Sequence, residues 1–268
     1  MAATVDVTRP AEGVTQLTLN RPDALNTLTV GLVNDVTDAL ADIDADRDCR
    51  VLILTGAGRA FSAGLDLNGY GDEDRTAAEG ALPRQLSRQR EIAALAQRLH
   101  ELRQPVIAAV NGPAAGGGLA MVCASDIRIA AEPAIFAVSF IRAGFSACDI
   151  GVSWLLPRIV GAGRAHELML TGRRFDAAEA LRIGVVTEVV ASDALLEVAL
   201  AKAKEIMLNP PISVELTKQG MWISLETPSF NASVEFENRQ QVYTALTEDR
   251  NEAAAAFLQK RAPSYHRR

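Results

Sequence analysis

A chain of 268 residues, 49% hydrophobic and 22% charged, has the composition of a globular protein and is long enough for one large domain or one domain with an extension. Its formal net charge of −6 argues against the broad basic surface of a nucleic-acid-binding protein, so we expect no nucleic-acid partner. Three cysteines without a CxxC pair and three histidines without ligand spacing favour a reducing cytoplasm and no metal site.

The sequence shows no signal for secretion or for a membrane. The N-terminus lacks a basic region followed by an apolar stretch. The longest apolar stretch, 105–124, contains Pro113 and four glycines, which favours a buried strand, turn and helix over a membrane span. We therefore expect a cytoplasmic protein that is not embedded in a membrane.

The first half of the chain predicts a hairpin, two helices and a strand. Alternating apolar and polar residues at 4–7 and 14–19 predict the hairpin, and helical spacing across 28–43 predicts the first helix. A β-branched run at 51–54 predicts a strand, and the apolar stripe at 92–102 predicts the second helix. The segment between them, 69–85, is polar, small and acidic and is predicted to be a mobile, solvated loop, with a lid over a pocket as the alternative.

The second half predicts alternating strands and helices and then a helical C-terminal part. The predicted strands are 127–131, 135–138 and 185–190, and the predicted helices are 152–159 and 161–170. From Ser192 onward the pattern is almost wholly helical, with breaks at Pro210-Pro211 and near Pro228.

Two glycine-bearing segments carry the main functional signal: FSAGLDL at 61–67 and NGPAAGGGLA at 111–120. Each follows a short apolar run and opens what the pattern predicts to be a helix. The first turn of a helix leaves backbone N–H groups without intrahelical partners. Two such donors aimed at one point would bind a developing oxyanion, so the pair predicts carbonyl chemistry.

Five segments follow one another along the chain: LNRPDALNTLT (19–29), VLILTGAGRAFSAGLDL (51–67), PVIAAVNGPAAGGGLAMVCASDIRIA (105–130), LPRIVGAGRAHELMLTGRRFDAAEALRIGVV (156–186) and AAFLQKR (255–261). In this order they resemble the crotonase superfamily, the enoyl-CoA hydratase/isomerase family. The resemblance implies an α/β fold: a core of ββα spiral turns at 1–190 and a C-terminal helical extension at 191–268 that builds a homo-trimer or hexamer. It also implies an acyl-CoA thioester substrate and no separate cofactor.

The resemblance assigns the two oxyanion donors to the backbone N–H groups of Leu65 and Gly117. It further implies binding of coenzyme A or substrate at Asp23, Ala24, Ala63, Gly64, Asp66, Leu67, Gly116, Phe140, Phe257 and Lys260. Position 23 is often basic in relatives and position 68 is often lysine, but here they are Asp23 and Asn68. Fewer phosphate contacts are therefore expected at these two positions.

The chain departs from the family's hydratases at both catalytic glutamates, where it has Ala120 and Phe140. The run AGFSACDIG (143–151) instead places Asp149 ahead of a predicted helix, much like the proton-shuttling aspartate of the dienoyl-CoA isomerases, although the interval from Gly144 is one residue longer. Asp149 is therefore the candidate catalytic acid/base. The alternative is an N-cap whose carboxylate accepts from the N–H groups of residues 151 or 152.

These observations leave more than one function open. A single carboxylate favours double-bond isomerisation, whereas the family favours hydration. A non-catalytic acyl-CoA binding protein is the first alternative, because Phe140 could fill the space of the missing glutamate. A nucleotide-dependent reductase is the second, since the glycines at 112, 116 and 118 imitate a dinucleotide fingerprint, but no tyrosine is followed by a lysine four residues later.

Overall fold

The structure is a computed structural model that describes residues 3–268. The strands are β1 (Val5–Ala11), β2 (Val14–Leu19), β3 (Val51–Gly56), β4 (Val106–Val110), β5 (Ala114–Ala115), β6 (Ile127–Ala131), β7 (Ile135–Ala137), β8 (Arg174–Asp176) and β9 (Glu188–Val190). The helices are α1 (Val30–Ala45), α2 (Glu73–Glu79), α3 (Ala81–Glu101), α4 (Gly117–Ala124), α5 (Val152–Val160), α6 (Ala162–Thr171), α7 (Ala177–Ile183), α8 (Leu195–Met207), α9 (Pro211–Glu226), α10 (Phe230–Ala245) and α11 (Glu248–Gln259).

The strands form two sheets that the chain visits in turn. The larger sheet has the order β1-β2-β3-β4-β6-β9 and is parallel except for the β1–β2 hairpin, and the smaller has the order β5-β7-β8. A bridge between Ser62 and Ala114 adds the segment after β3 to the smaller sheet. Each turn thus places one stretch in the large sheet, one in the small sheet, and then a helix. This confirms the expected α/β class.

The core lies between the sheets and the helices that cover them. The helix α1 buries one face against the large sheet through Leu32, Val36 and Leu40, and the Thr29 side chain caps its N-terminus. On the other face of the sheet, α8 packs through Ala199 and Ala203 onto alternate residues of β3, β4 and β6. Both faces of the parallel strands are therefore buried, as their near-continuous apolar sequence requires.

The prediction of a mobile loop at 69–85 is wrong. This segment forms α2 and the start of α3, and it is held by charge pairs that leave Asp72 and Arg84 buried. Buried charges persist in folded proteins when they are paired and hydrogen-bonded. The acidic and basic residues of this segment therefore pair with one another, instead of being solvated separately.

The C-terminal helices leave large apolar side chains in solvent. No residue of α10 is buried, and Phe230 and Leu246 are each 81% exposed. On α11, Phe257 is 84% and Leu258 is 80% exposed. Within residues 3–268, no helix combines the length and the apolar character needed to cross a bilayer.

Candidate active site

The first glycine segment presents the N–H of Leu65 without a partner. Leu65 forms an isolated parallel bridge with Leu28, in which Leu28 N–H donates to the Gly64 carbonyl (2.8 Å) and Asp66 N–H donates to the Leu28 carbonyl (3.1 Å). This pattern points the N–H of Leu65 away from Leu28, and it donates to no other group in the described chain. Gly64 has φ +89°, a conformation that glycine adopts at no steric cost.

The second segment presents the N–H of Gly117 as the first residue of α4. Gly116 precedes it at φ +51° and ψ −119°, and its own N–H donates to the Ala137 carbonyl at 3.1 Å. The N–H of Gly117 lies in the first helical turn, where no intrahelical acceptor exists. It is also without a hydrogen-bond partner among residues 3–268. The positive end of the helix dipole adds to its attraction for negative charge.

Backbone contacts hold the two segments together. Ala115 N–H donates to the Ser62 carbonyl at 2.9 Å. A Cβ placed on Gly64 would lie 3.3 Å from the nitrogen of Gly117, and a Cβ on Gly118 would overlap the Ser62 carbonyl. Glycine is therefore required at both positions for this approach. The two donor segments lie side by side, as the hypothesis of a shared oxyanion site needs.

Both segments open into one cavity of about 630 Å³. Those predicted site residues that line it are Ala63, Leu65, Leu67, Gly116, Gly117, Phe140 and Asp149. Phe140 lies against the oxyanion segment, because a Cβ on Gly116 would be 3.5 Å from its ring. Asp149 is the only carboxylic acid among the residues that line the cavity in the described part of the chain.

Asp149 is half-buried at the end of the loop before α5. Its Oδ1 accepts hydrogen bonds from the N–H of Ile150 (2.8 Å) and from the side-chain amide of Gln89 on α3. Burial raises the pKa of Asp149 above the ordinary aspartate value, although these two hydrogen bonds oppose the shift. The N-cap interpretation is not supported, because Gly151 occupies the cap position of α5 without a side-chain hydrogen bond. Asp149 is thus free to face the cavity.

Sequence comparison decides the family. The model of the family described as enoyl-CoA hydratase/isomerase matches residues 9–268. The chain belongs to the enoyl-CoA hydratase/isomerase family. A probable enoyl-CoA hydratase of Mycobacterium tuberculosis is 40% identical over 97% of this chain and 91% of its own length. The 1,2-epoxyphenylacetyl-CoA isomerase of Escherichia coli is 36% identical over 95% of each chain.

A solved structure supports the same family. The enoyl-CoA hydratase from Bacillus anthracis superposes with a TM-score of 0.91 at 34% identity, covering 99% of this chain and 100% of that one. The expected crotonase fold and an acyl-CoA-processing enzyme of lyase or isomerase type are therefore confirmed for this family member. A nucleotide-dependent reductase is excluded by this membership.

Some residues assigned from the resemblance lie outside the cavity lining. They are Asp23, Ala24, Gly64, Asp66, Phe257 and Lys260. Asp66 is tied to its own segment, where it accepts from Thr27 Oγ1 at 2.9 Å and pairs with Arg21 at 3.3 Å. Burial favours the neutral acid, but hydrogen bonds from Thr27, the Asn68 N–H and Arg21 lower the pKa of Asp66 below its usual value. Its carboxylate therefore fastens the segment that carries Leu65 to Thr27 and Arg21.

Several residues outside the predicted set of site residues also line the cavity. Gln89 and Ile92 come from α3, and three exposed arginines, Arg59, Arg142 and Arg174, complete the wall. Arg174 lies opposite Ala137 in the small sheet, so it shares the face that borders the cavity. Gln89 carried no local signal, because its partner is sixty positions away in the sequence.

Proposed function

We propose that this family member is an enoyl-CoA isomerase that moves a carbon–carbon double bond through a thioester enolate, with Asp149 as the single acid/base. The observation that carries the proposal is the cavity itself, where one carboxylate shares a wall with two unpaired backbone donors. Its relative from Escherichia coli is named as an isomerase.

The proposed reaction balances without water or a cofactor. Asp149 takes a proton from the α-carbon of a 3-enoyl thioester, and the electron pair of that C–H bond moves into a dienolate. The N–H groups of Leu65 and Gly117 bind the oxygen on which the negative charge develops. The protonated Asp149 then returns the proton to the γ-carbon, which gives the 2-enoyl thioester. A base whose pKa is raised by burial suits this shuttle, because it holds the proton between the two steps.

Hydration is the competing reaction, and the positions of the missing glutamates count against it. Ala120 is fully buried inside α4, and Phe140 is apolar. Hydration needs one group to activate water and a proton for the α-carbon, and here Asp149 would have to supply both. Hydration is nevertheless the reaction named for the relative from Mycobacterium tuberculosis, so it is a required arm of the test.

The test compares reaction products from 3-enoyl-CoA and 2-enoyl-CoA substrates. We expect the 2-enoyl product from the 3-enoyl substrate, with no oxygen-18 incorporated from labelled water. Accumulation of labelled 3-hydroxyacyl-CoA as the main product would show a hydratase instead. Tight binding of acyl-CoA with turnover of neither substrate would show a non-catalytic binding protein.

We further propose where coenzyme A lies and where the protein works. The thioester would enter past Ala63 and Leu67, with Asp23, Ala24 and Asp66 near the nucleotide. A cytoplasmic location fits the three cysteines, which are all free. The exposed arginines of the cavity wall supply positive charge that positions 23 and 68 lack. No further cofactor is required by this chemistry. The proposed boundary between spiral core and extension is residue 190.

We propose a homo-trimer, alone or paired into a hexamer, in which a second copy covers the apolar residues of α10 and α11. Four side chains are more than three-quarters exposed: Phe230 on α10, Leu246 directly after it, and Phe257 and Leu258 on α11. They exceed what isolated surface residues explain. Light scattering on the eluting protein should give three or six times the chain mass of 28.6 kDa. Leu246→Glu should reduce that mass, whereas Val7→Glu, at an apolar position on β1 that is 48% exposed, should not. A monomeric parent protein would contradict the assignment.

A further inference from the structure

The contact between Gln89 and Asp149 fixes one oxygen of the proposed base. Both hydrogen bonds to the carboxylate, from the Gln89 amide and from the Ile150 N–H, end on Oδ1. In the described chain Oδ2 accepts no hydrogen bond. The carboxylate therefore has a held oxygen and a free one, and the free one is available to a substrate in the cavity.

The part of α3 that carries Gln89 is immobilised by a group of buried and half-buried charges, which we name the carboxylate–arginine clamp: Asp72, Arg84, Arg88 and Glu91. Arg84 Nε lies 2.6 Å from Asp72 Oδ2, and its two terminal nitrogens lie 2.8 and 2.9 Å from the oxygens of Glu91. Arg88 makes two further bonds to Asp72. Side chains of Arg84 and Asp72 are fully buried, so these bonds are strong and well ordered.

The clamp also connects α3 to the oxyanion segment. Asp72 follows Leu65 by seven residues in the chain. Between them, the Tyr70 carbonyl accepts from the Val30 N–H at 2.8 Å, and the guanidinium of Arg88 lies over the Tyr70 ring at 5.2 Å. The segment that supplies one oxyanion donor is thus fastened to the helix that contacts the base.

We propose that Gln89 is a positioning residue: held by the carboxylate–arginine clamp, it orients Asp149 so that Oδ2 faces the substrate and keeps this carboxylate ionised, the form that can take the proton. The inference rests on the proposed isomerase function. A donor to the charged form of a carboxylate favours that form. Removal of the Gln89 amide should therefore raise the pKa of Asp149 further and turn its side chain out of position.

The charged groups around Asp149 do not contact its carboxylate in the described chain, so the contact from Gln89 can be tested without interference from them. The cavity wall contributes Arg59, Arg142 and Arg174, and none of them forms an ion pair or hydrogen bond with Asp149 in the described chain. From α5, Arg158 stacks on Trp154 at 3.7 Å, and His100 of α3 packs edge-on against the same ring. Glu91 and Arg88 are engaged within the clamp.

The kinetic test replaces Gln89 with leucine, which keeps the approximate size and removes the donor. We expect kcat to fall about ten- to a hundredfold, the range for loss of a hydrogen bond to a charged group, with little change in KM. The acidic limb of the kcat/KM profile should move to higher pH. Gln97→Leu is the matched control, because Gln97 lies on the same helix, is exposed, and its side chain makes no hydrogen bond within residues 3–268. Its profile should match the parent protein.

A second measurement tests the positioning role of Gln89 without relying on any enzymatic reaction. The pKa of Asp149 can be followed by carbon-13 NMR of labelled aspartate, with Asp149→Asn used for assignment and no substrate present. An upward shift in Gln89→Leu supports the positioning role even if the parent protein fails to isomerise any substrate. An unchanged pKa and an unchanged acidic limb would overturn it. Since Gln89 and Gln97 are exposed, Gln89→Leu and Gln97→Leu should unfold at the parental temperature, and Gln89→Met serves as the replacement if Gln89→Leu does not fold.

Discussion

Replacing Gly117 with proline should lower kcat by about a hundred- to a thousandfold, equivalent to about 2.7–4 kcal/mol of lost transition-state stabilisation. Proline lacks the N–H that is proposed to bind the enolate oxygen, and it is tolerated at the first position of a helix, where that N–H has no intrahelical acceptor. Gly117 occupies this position in α4. Steady-state kinetics on the 3-enoyl thioester gives kcat directly, and titration with a saturated acyl-CoA reports whether ground-state binding survives.

Gly117→Ala is the control for added bulk. A Cβ at this position would lie 2.6 Å from a terminal methyl of Leu28 and 3.3 Å from one of Ile150, and both side chains end in flexible groups. The alanine variant brings the same carbon but keeps the N–H, so it should lose far less activity than the proline variant. Equal losses in the two variants would show that crowding, and not the donor, causes the effect, and the oxyanion assignment would fail.

Asp149→Asn should reduce turnover by about a hundred- to ten-thousandfold, the usual contribution of a positioned acid/base. Asparagine keeps the shape and can still accept from the Ile150 N–H, but it cannot take up a proton at the α-carbon. Affinity for a saturated acyl-CoA should therefore be retained while isomerisation is lost. A variant that turns over every enoyl-CoA tested at the parental rate would remove Asp149 from the mechanism.

The same substitution should slightly stabilise the protein at neutral pH. Burial raises the pKa of Asp149 in the folded state above its unfolded value, so the folded state binds the proton more tightly. Stability contributed by this group is present below the unfolded pKa, near 3.9, and decreases as the pH rises through the folded pKa. Removing the charge should thus raise the unfolding temperature of Asp149→Asn at pH 7, with no such gain at pH 3. Differential scanning calorimetry at the two pH values checks the sign.

The parts of the fold that depend on local pattern were predictable. The hairpin β1–β2, the helix α1 and the breaks between the C-terminal helices follow from alternation, helical spacing and proline. The two glycine segments were also predictable, because unpaired N–H groups at a strand-to-helix turn are a local property. The expectation that the two segments lie side by side depends on the presence of two similar segments in one chain.

The parts of the fold and of the site that depend on partners distant in the sequence were not predictable. The strands β5 and β8 are two and three residues long and exist only because β7 lies between them. The segment 69–85 resembled a solvated loop because the partners that neutralise Asp72 lie on α3, twelve and sixteen positions away. The contact from Gln89 to the base spans sixty positions. Sequence spacing carries no information on such pairs.

The bridge between Ser62 and Ala114 has a consequence for how the two donors are spaced. Leu65 follows Ser62 by three residues, and Gly117 follows Ala114 by three, so the two donors lie equally far along the chain from the same bridge. Neighbouring strands are about 4.8 Å apart. An oxygen about 2.9 Å from two nitrogens with that separation would meet them at an angle of roughly 110°, close to the directions of its lone pairs. Peptide geometry thereby sets the separation of the two donors. Changes in the loop sequences around the cavity can alter the substrate without altering that separation.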